Sequence, residues 1–231
     1  MSISGERERH THSAAHHEEH AHAHGQIGGH TPHTSRGEAQ QRALVDAAYH
    51  LIAVGGFERL RTRDVAARAG VNIATLHYYF ATKEDLIRAV VERVQHELST
   101  MHSPAFDSNA LTPLEELREE FMDMQYQLDE TPETYVVLFE LAWRARRDPT
   151  ILTMLREMDE DWRGHISGYL AEGVRQGVFR ADLDVPAAAA ALTAILKGSI
   201  MNILNHPESF PAARVQAEME GWLTGRATAS K

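Results

Sequence analysis

Residues Thr62 to Lys83 read TRDVAARAGVNIATLHYYFATK, and this stretch decides what fold the chain can adopt. Val65, Ala66 and Ala69 recur at helical spacing, Gly70 interrupts them, and Leu76, Tyr79 and Phe80 resume the same spacing after a polar break at Asn72. The pattern predicts two short helices joined by a tight turn. Ala66 is small where the second helix must cross closely, Gly70 can take the positive φ of a sharp turn, and Val71 plugs the corner. Thr62 is expected as the N-cap of the first helix and Asn72 as the N-cap of the second. With Leu76, Tyr79 and Phe80 turned inward, Ile73, Thr75, His77 and Tyr78 are left on the outer face. A helix-turn-helix lays such a face in the DNA major groove.

The flanks are helical as well. Leu44, Ala47, Ala48, Leu51, Ile52 and Val54 recur at helical spacing up to the stop at Gly55-Gly56, and the chain turns helical from Arg36. Phe57 and Leu60 then close a small core. Thr82 is an N-cap ahead of Lys83, and Leu86, Ile87, Val90, Val91, Val94 and Leu98 define a long helix to about Met101. Ser103-Pro104 and the polar residues through Asn109 loosen the chain. Beyond them, helices are expected at about 112–129, 132–147, 149–176, 186–205 and 211–224, with Pro113, Pro132, Pro149, Pro186 and Pro211 at their starts. Period-2 alternation is absent. The expected fold is therefore all-α with nine helices: an N-terminal arm over 1–35, a helix-turn-helix unit over 36–82, a connecting helix over 83–103, a larger helical domain over 104–225 and a tail over 226–231.

Charge is divided along the chain. The net charge of −10 argues against a protein that coats nucleic acid generally. Residues 36–100 nevertheless carry nine Arg or Lys against eight Asp or Glu, whereas 101–231 carry twelve against twenty-one. Arg59, Arg61, Arg63, Arg68 and Lys83 face only Glu58 and Asp64, a local basic patch on the helix-turn-helix. With 43% apolar residues the chain can bury a core. Cysteine is absent, which removes disulfides, thiolate nucleophiles and cysteine metal sites. No apolar run is expected to span a bilayer, and no secretory signal is read at the N-terminus, so cytoplasm is the expected location.

Residues 1–35 hold nine of the fifteen histidines, including the spaced pairs His10/His12 and His20/His22/His24. Too few apolar residues accompany them to fold alone, so a disordered arm is expected. Imidazoles at that spacing could bind Zn, Ni or Cu, which makes a metal-binding or metal-responsive protein the alternative reading. No cofactor is expected, and no residue is assigned to a metal site.

The run from Leu44 to Val90, LVDAAYHLIAVGGFERLRTRDVAARAGVNIATLHYYFATKEDLIRAV, resembles the DNA-binding domain of TetR-family transcriptional regulators. Its marks are the first helix ending in Gly-Gly-Phe, Thr-Arg-Asp-Val-Ala, Ala-Gly-Val at the turn, Thr-Leu before an aromatic run, and Lys-Glu-Asp-Leu. The resemblance implies that Thr62 and Arg63 contact phosphates or the groove edge, that Asn72, Ile73, Thr75, His77 and Tyr78 read DNA, and that Lys83 meets a phosphate. His77 departs from the family's usual tyrosine. Arg68 is read either as a DNA contact or as an i,i+4 ion-pair partner of Asp64.

The same resemblance implies a homodimer joined by helices 186–205 and 211–224, a palindromic double-stranded DNA operator, and a small, largely apolar effector bound in the second domain. The run AAAAALTAILKGSIMNIL over 187–204 has Lys197 as its one charge and fits an interface helix. Phe121, Tyr126, Phe139, Trp143, Trp162, His165 and Tyr169 put aromatic surface on three successive helices and are the candidate ligand residues. A repressor is expected, and an enzyme is not: no Gly-rich nucleotide loop and no His-Glu-x-x-His pair is present.

Overall fold

The computed structural model describes residues 32–105 and 111–225, and those residues form nine α-helices with no strand. The first, α1 (Pro32–Gly55), begins four residues before Arg36, inside the segment expected to be unfolded; His10 to His30 lie outside the described residues. Gly56 stops α1 with a φ of 73°, a conformation only glycine adopts freely. A 3₁₀ turn at Phe57–Arg59 leads into α2 (Thr62–Arg68), α3 (Ile73–Tyr79) and α4 (Lys83–Thr100). Then follow α5 (Pro113–Glu130), α6 (Pro132–Ala145), α7 (Pro149–Arg175), α8 (Val185–Asn205) and α9 (Ala212–Thr224).

Local chemistry accounts for the boundaries. Asn72 caps α3 by accepting the Thr75 backbone N–H, and Gly70 turns the corner before it at φ 68°. Thr82 with Asp85, and Thr112 with Glu115, form capping boxes at the heads of α4 and α5. Asp148 and Asp184 cap α7 and α8. Proline occupies the first turn of α5 through α8, where its missing N–H costs nothing, and Pro211 stands one residue ahead of α9. Thr62 is the exception. It is the first residue of α2, Arg61 holds the cap position, and no side chain caps that end.

The core has two parts. One gathers Leu44, Ile52, Phe57, Val65, Leu76, Phe80, Leu86 and Val90 of the first four helices, and continues into Val137 and Leu141 of α6 and Ile151 of α7. The other packs Leu117, Phe121 and Met124 of α5 against Ile166 and Leu170 of α7, Leu192 and Leu196 of α8, and Leu223 of α9. Val54, counted with the apolar face of α1, is 86% exposed at the helix end, where the neighbouring helices no longer cover it. The expectation of no membrane-length segment also needs correction. α8 has the length and apolarity of a membrane span, but it packs on α5 and α7 and carries Lys197, whose ammonium bonds both Asp159 oxygens at 2.6 Å.

Candidate DNA-reading face and ligand cleft

α3 is held by one face and offers the other. Leu76 is fully buried and Phe80 is 4% exposed, while the Tyr79 hydroxyl donates to Gln40 of α1 at 3.1 Å and ties the helix laterally. On the outer face Tyr78 is 83% exposed and Ile73 42%, with His77 also exposed. Large apolar side chains held in water on a helix this short do nothing for the core, and such a face is suited to contact. Asn72 Oδ1 accepts both the Thr75 N–H (2.8 Å) and the Thr75 hydroxyl (3.1 Å), so these two expected readers first of all hold each other.

The basic residues divide. Arg59, Arg61, Arg63 and Arg68 are exposed around the turn. Asp64 lies beside Arg63 at 3.4 Å, not beside Arg68, so the i,i+4 pair is not formed. Lys83 turns inward: its ammonium donates to the Leu60 carbonyl at 2.8 Å and sits 5.0 Å from the centre of the Phe57 ring. Burial, and then the Arg144 charge, lower its pKa. In this conformation Lys83 joins α4 to the loop before α2 and is not a free phosphate contact.

The candidate ligand residues do not form one set. Trp162, His165 and Tyr169 line one face of α7, with the His165 and Tyr169 rings edge to face at 5.8 Å. Phe121 is buried in the core beside that face, and Phe139 and Tyr126 are half-buried on α6 and α5. Trp143 leaves the set. It is 71% exposed near the end of α6, with Arg146 over its ring at 5.5 Å.

Opposite α7, α5 presents a stripe of acids outside the set of aromatic candidates. Glu116, Glu119, Glu120 and Asp123 recur at i, i+3, i+4 and i+7, the spacing normally read for apolar residues, and that was the available signal. Trp162 donates its indole N–H to Glu120 Oε2 at 2.8 Å, and His165 Nε2 lies 3.8 Å from Glu120 Oε1. Burial pushes the Glu120 carboxyl up to about 7 and raises Glu116 and Glu119 as well. A cleft of about 390 Å³ opens beside Glu116, lined by Leu111, Thr112, Pro113 and Glu116 on one side and Gly168, Tyr169, Glu172 and Gln176 on the other, with Glu120 one turn further along α5.

At the far end of the stripe Asp123 ties the α4–α5 connection down. It accepts the Ser103 N–H at 2.6 Å and pairs with His102 Nδ1 at 2.6 Å, and this hydrogen bond raises the His102 pKa. Gln127 donates to the carbonyls of Leu98 (3.2 Å) and Met101 (2.7 Å) and accepts from the Tyr135 hydroxyl. His102, Glu119 and Asp123 lie close enough together to ligate a metal. Asp123 and His102 are already committed to each other, to Ser103 and to the Ser99 carbonyl, so the local hydrogen bonding accounts for the cluster.

Comparison with known proteins matches both halves. Residues 44–90 fit the profile of bacterial regulatory proteins of the tetR family, and residues 113–226 fit that of the BetI-type transcriptional repressor C-terminal domain. The chain is 27% identical over 142 residues to the HTH-type transcriptional repressor KstR2 of Mycobacterium tuberculosis (strain ATCC 25618 / H37Rv), covering 62% of this chain and 70% of that one. It is 25% identical over 153 residues to the fatty acid metabolism regulator protein of Bacillus subtilis (strain 168), covering 62% and 72%. A TetR-family regulator from Rhodococcus sp. superposes with a TM-score of 0.69 at 20% identity, over 79% of this chain and 96% of that one. With a matching helix-turn-helix, a matching C-terminal profile and the same fold, the chain belongs to the TetR family of bacterial regulatory proteins, DNA-binding transcription regulators and not enzymes.

Proposed function

We propose that this protein is a transcriptional repressor that binds a palindromic operator as a homodimer in the cytoplasm and is released by a small molecule bound between α5 and α7. The outer face of α3 carries the reading: Tyr78 and Ile73 are exposed beside a fully buried Leu76, an arrangement that suits contact with sugars and base edges. Arg61, Arg63 and Arg68 supply the phosphate contacts that position the helix. Repression is favoured by the nature of the relatives, one of which is a repressor by name.

Dimerisation is supported by what a single chain leaves uncovered. α8 is buried only in part by its own chain, Met201 is 41% exposed and Trp222 of α9 is 38% exposed. A second copy related by a two-fold axis would cover these surfaces and set two recognition helices about 34–36 Å apart.

α6 is the coupling element. The Phe57 N–H donates to Glu140 at 2.9 Å, the Tyr49 hydroxyl bonds Thr134 at 2.7 Å, His50 pairs with Glu133 at 3.0 Å, and Arg144 covers the Phe57 ring. The same helix packs on α5 and α7. A ligand that binds better when α5 and α7 stand in a different arrangement would move α6, and with it the separation of the two reading helices. Only that difference in affinity can shift the equilibrium.

Selection of bound duplexes from a random pool tests the reading, followed by the Thr75→Ala, Tyr78→Ala and Arg63→Ala variants on the enriched site. An enriched palindrome is expected, with altered preference for Thr75→Ala or Tyr78→Ala and uniformly weaker binding for Arg63→Ala. A pool that stays random would remove the operator-binding claim.

A further inference from the structure

The groove between α5 and α7 carries Glu116 from α5 and Glu172 from α7, the latter held by Arg175 and Gln176. Among the charges acting on Glu116, Glu119 and Glu120, His102 and His165 oppose the acids. Arg118, on the same helix, turns away and binds Glu220 of α9 through two hydrogen bonds of 3.0 and 2.8 Å. Glu120 has one close donor, the Trp162 indole on Oε2, which leaves Oε1 with His165 at 3.8 Å. Independently of the acids, Tyr169 is 4% exposed and its hydroxyl has no hydrogen-bond partner among the described residues. That residue also lines the cleft with Glu116, one helical turn from Glu120 along α5.

A buried hydroxyl without a partner is costly unless a ligand supplies one, and Glu120 Oε1, with only His165 at 3.8 Å, has room for a closer donor. An anion would add repulsion to the acidic stripe, and a neutral apolar molecule would leave the polar atoms unpaired. A cation with N–H groups meets both needs, and the Trp162, His165 and Tyr169 rings favour a cation beside them. We propose that this cleft takes a protonated primary or secondary amine with an apolar tail, its N–H groups donating to Glu120 and to the Tyr169 oxygen, and that such an amine is the effector. The proposal rests on the regulator reading above for the word effector, while the binding site stands on its own geometry.

The test uses the full chain and four ten-carbon probes that differ in head group: decylammonium, decyltrimethylammonium, decanol and decanoate, each below its micelle concentration. Calorimetry should give decylammonium the tightest binding, by about tenfold or more, because a hydrogen bond to a charged partner is worth roughly 1.5–3 kcal/mol. Glu120→Gln should weaken decylammonium by about tenfold or more and leave decanol unchanged. Tyr169→Phe, which keeps the ring, should weaken decylammonium severalfold and gives a second reading should Glu120→Gln fold poorly. At pH near 7 decylammonium binding should also release a proton from Glu120, seen as a binding heat that changes with buffer. Decanoate, decanol or decyltrimethylammonium binding as tightly as decylammonium overturns the proposal. So does zinc uptake that competes with decylammonium and is lost in His102→Ala. Operator binding without any probe is measured in parallel, so failure of the regulator reading and failure of the amine site are separate results.

Discussion

Tyr78 separates folding from function at the level of single residues. It is 83% exposed and touches Tyr79 only edge to face at 5.1 Å, so Tyr78→Ala should change stability by less than about 0.5 kcal/mol while operator affinity falls. Denaturant unfolding and a DNA titration on one preparation check both halves. Asn72→Ala behaves differently. It removes the cap of α3 and the anchor of the Thr75 hydroxyl, and should cost about 1 kcal/mol in unfolding as well as DNA affinity. Glu120 sets a pH dependence. Its folded carboxyl titrates near 7 against an ordinary 4.5, so between those values the folded state holds a proton that the unfolded chain has released. That stability is fully present below the ordinary glutamate pKa and is lost as pH rises through about 7. His102, raised by its bond to Asp123, acts in the same direction. Unfolding free energy should therefore fall between about pH 6 and 8 by on the order of 1 kcal/mol, and Glu120→Gln should flatten the slope.

At the scale of elements, helix ends and close crossings carry specific costs. The capping box of Thr82 and Asp85 starts α4, the helix that runs from the DNA-reading unit to the ligand half, and Thr82→Ala should lower stability by about 1 kcal/mol. Gly173 shows a different constraint. A Cβ there would stand 2.1 Å from a carbon of the Phe179 ring, and that ring is 98% buried against α7. Gly173→Ala should cost about 1–3 kcal/mol through overpacking, read as a lower thermal midpoint, although alanine is the better helix former. The acidic stripe of α5 carries a cost of its own: four carboxylates on one helical face repel one another.

Across the whole molecule, the core does not stop between the reading unit and the ligand half. Val137 and Leu141 of α6 pack into the same cluster as Leu76 and Phe80, and the Tyr49–Thr134 bond is buried at that junction. Thr134→Val leaves the buried Tyr49 hydroxyl unpaired, costs about 1–3 kcal/mol, and should weaken ligand-driven DNA release more than DNA binding itself. A titration of ligand against preformed protein–DNA complex reads the difference. The proposed dimer would cover α8 and α9. Met201→Asp should turn a dimer into a monomer in sedimentation and lower operator affinity, because one recognition helix alone makes half the contacts. Operator and non-specific DNA affinity should both fall as salt rises, because the Arg residues around the turn displace counterions from the phosphates they contact.

Periodicity and end chemistry are local properties, so the sequence by itself determined the nine helices, the caps at Asn72 and Thr82, the turn at Gly70 and the inward and outward faces of α3. Misreadings came where distant elements decide. Val54, at the apolar spacing of α1, lies beyond the neighbouring helices, Trp143, a candidate ligand residue, faces water, and Lys83, expected at a phosphate, bonds a carbonyl twenty-three residues earlier. In sequence, Glu120 is one helical acid among many. Only the tertiary structure set it against Trp162 and His165, because burial and partnership depend on which helices meet and no single helix encodes that.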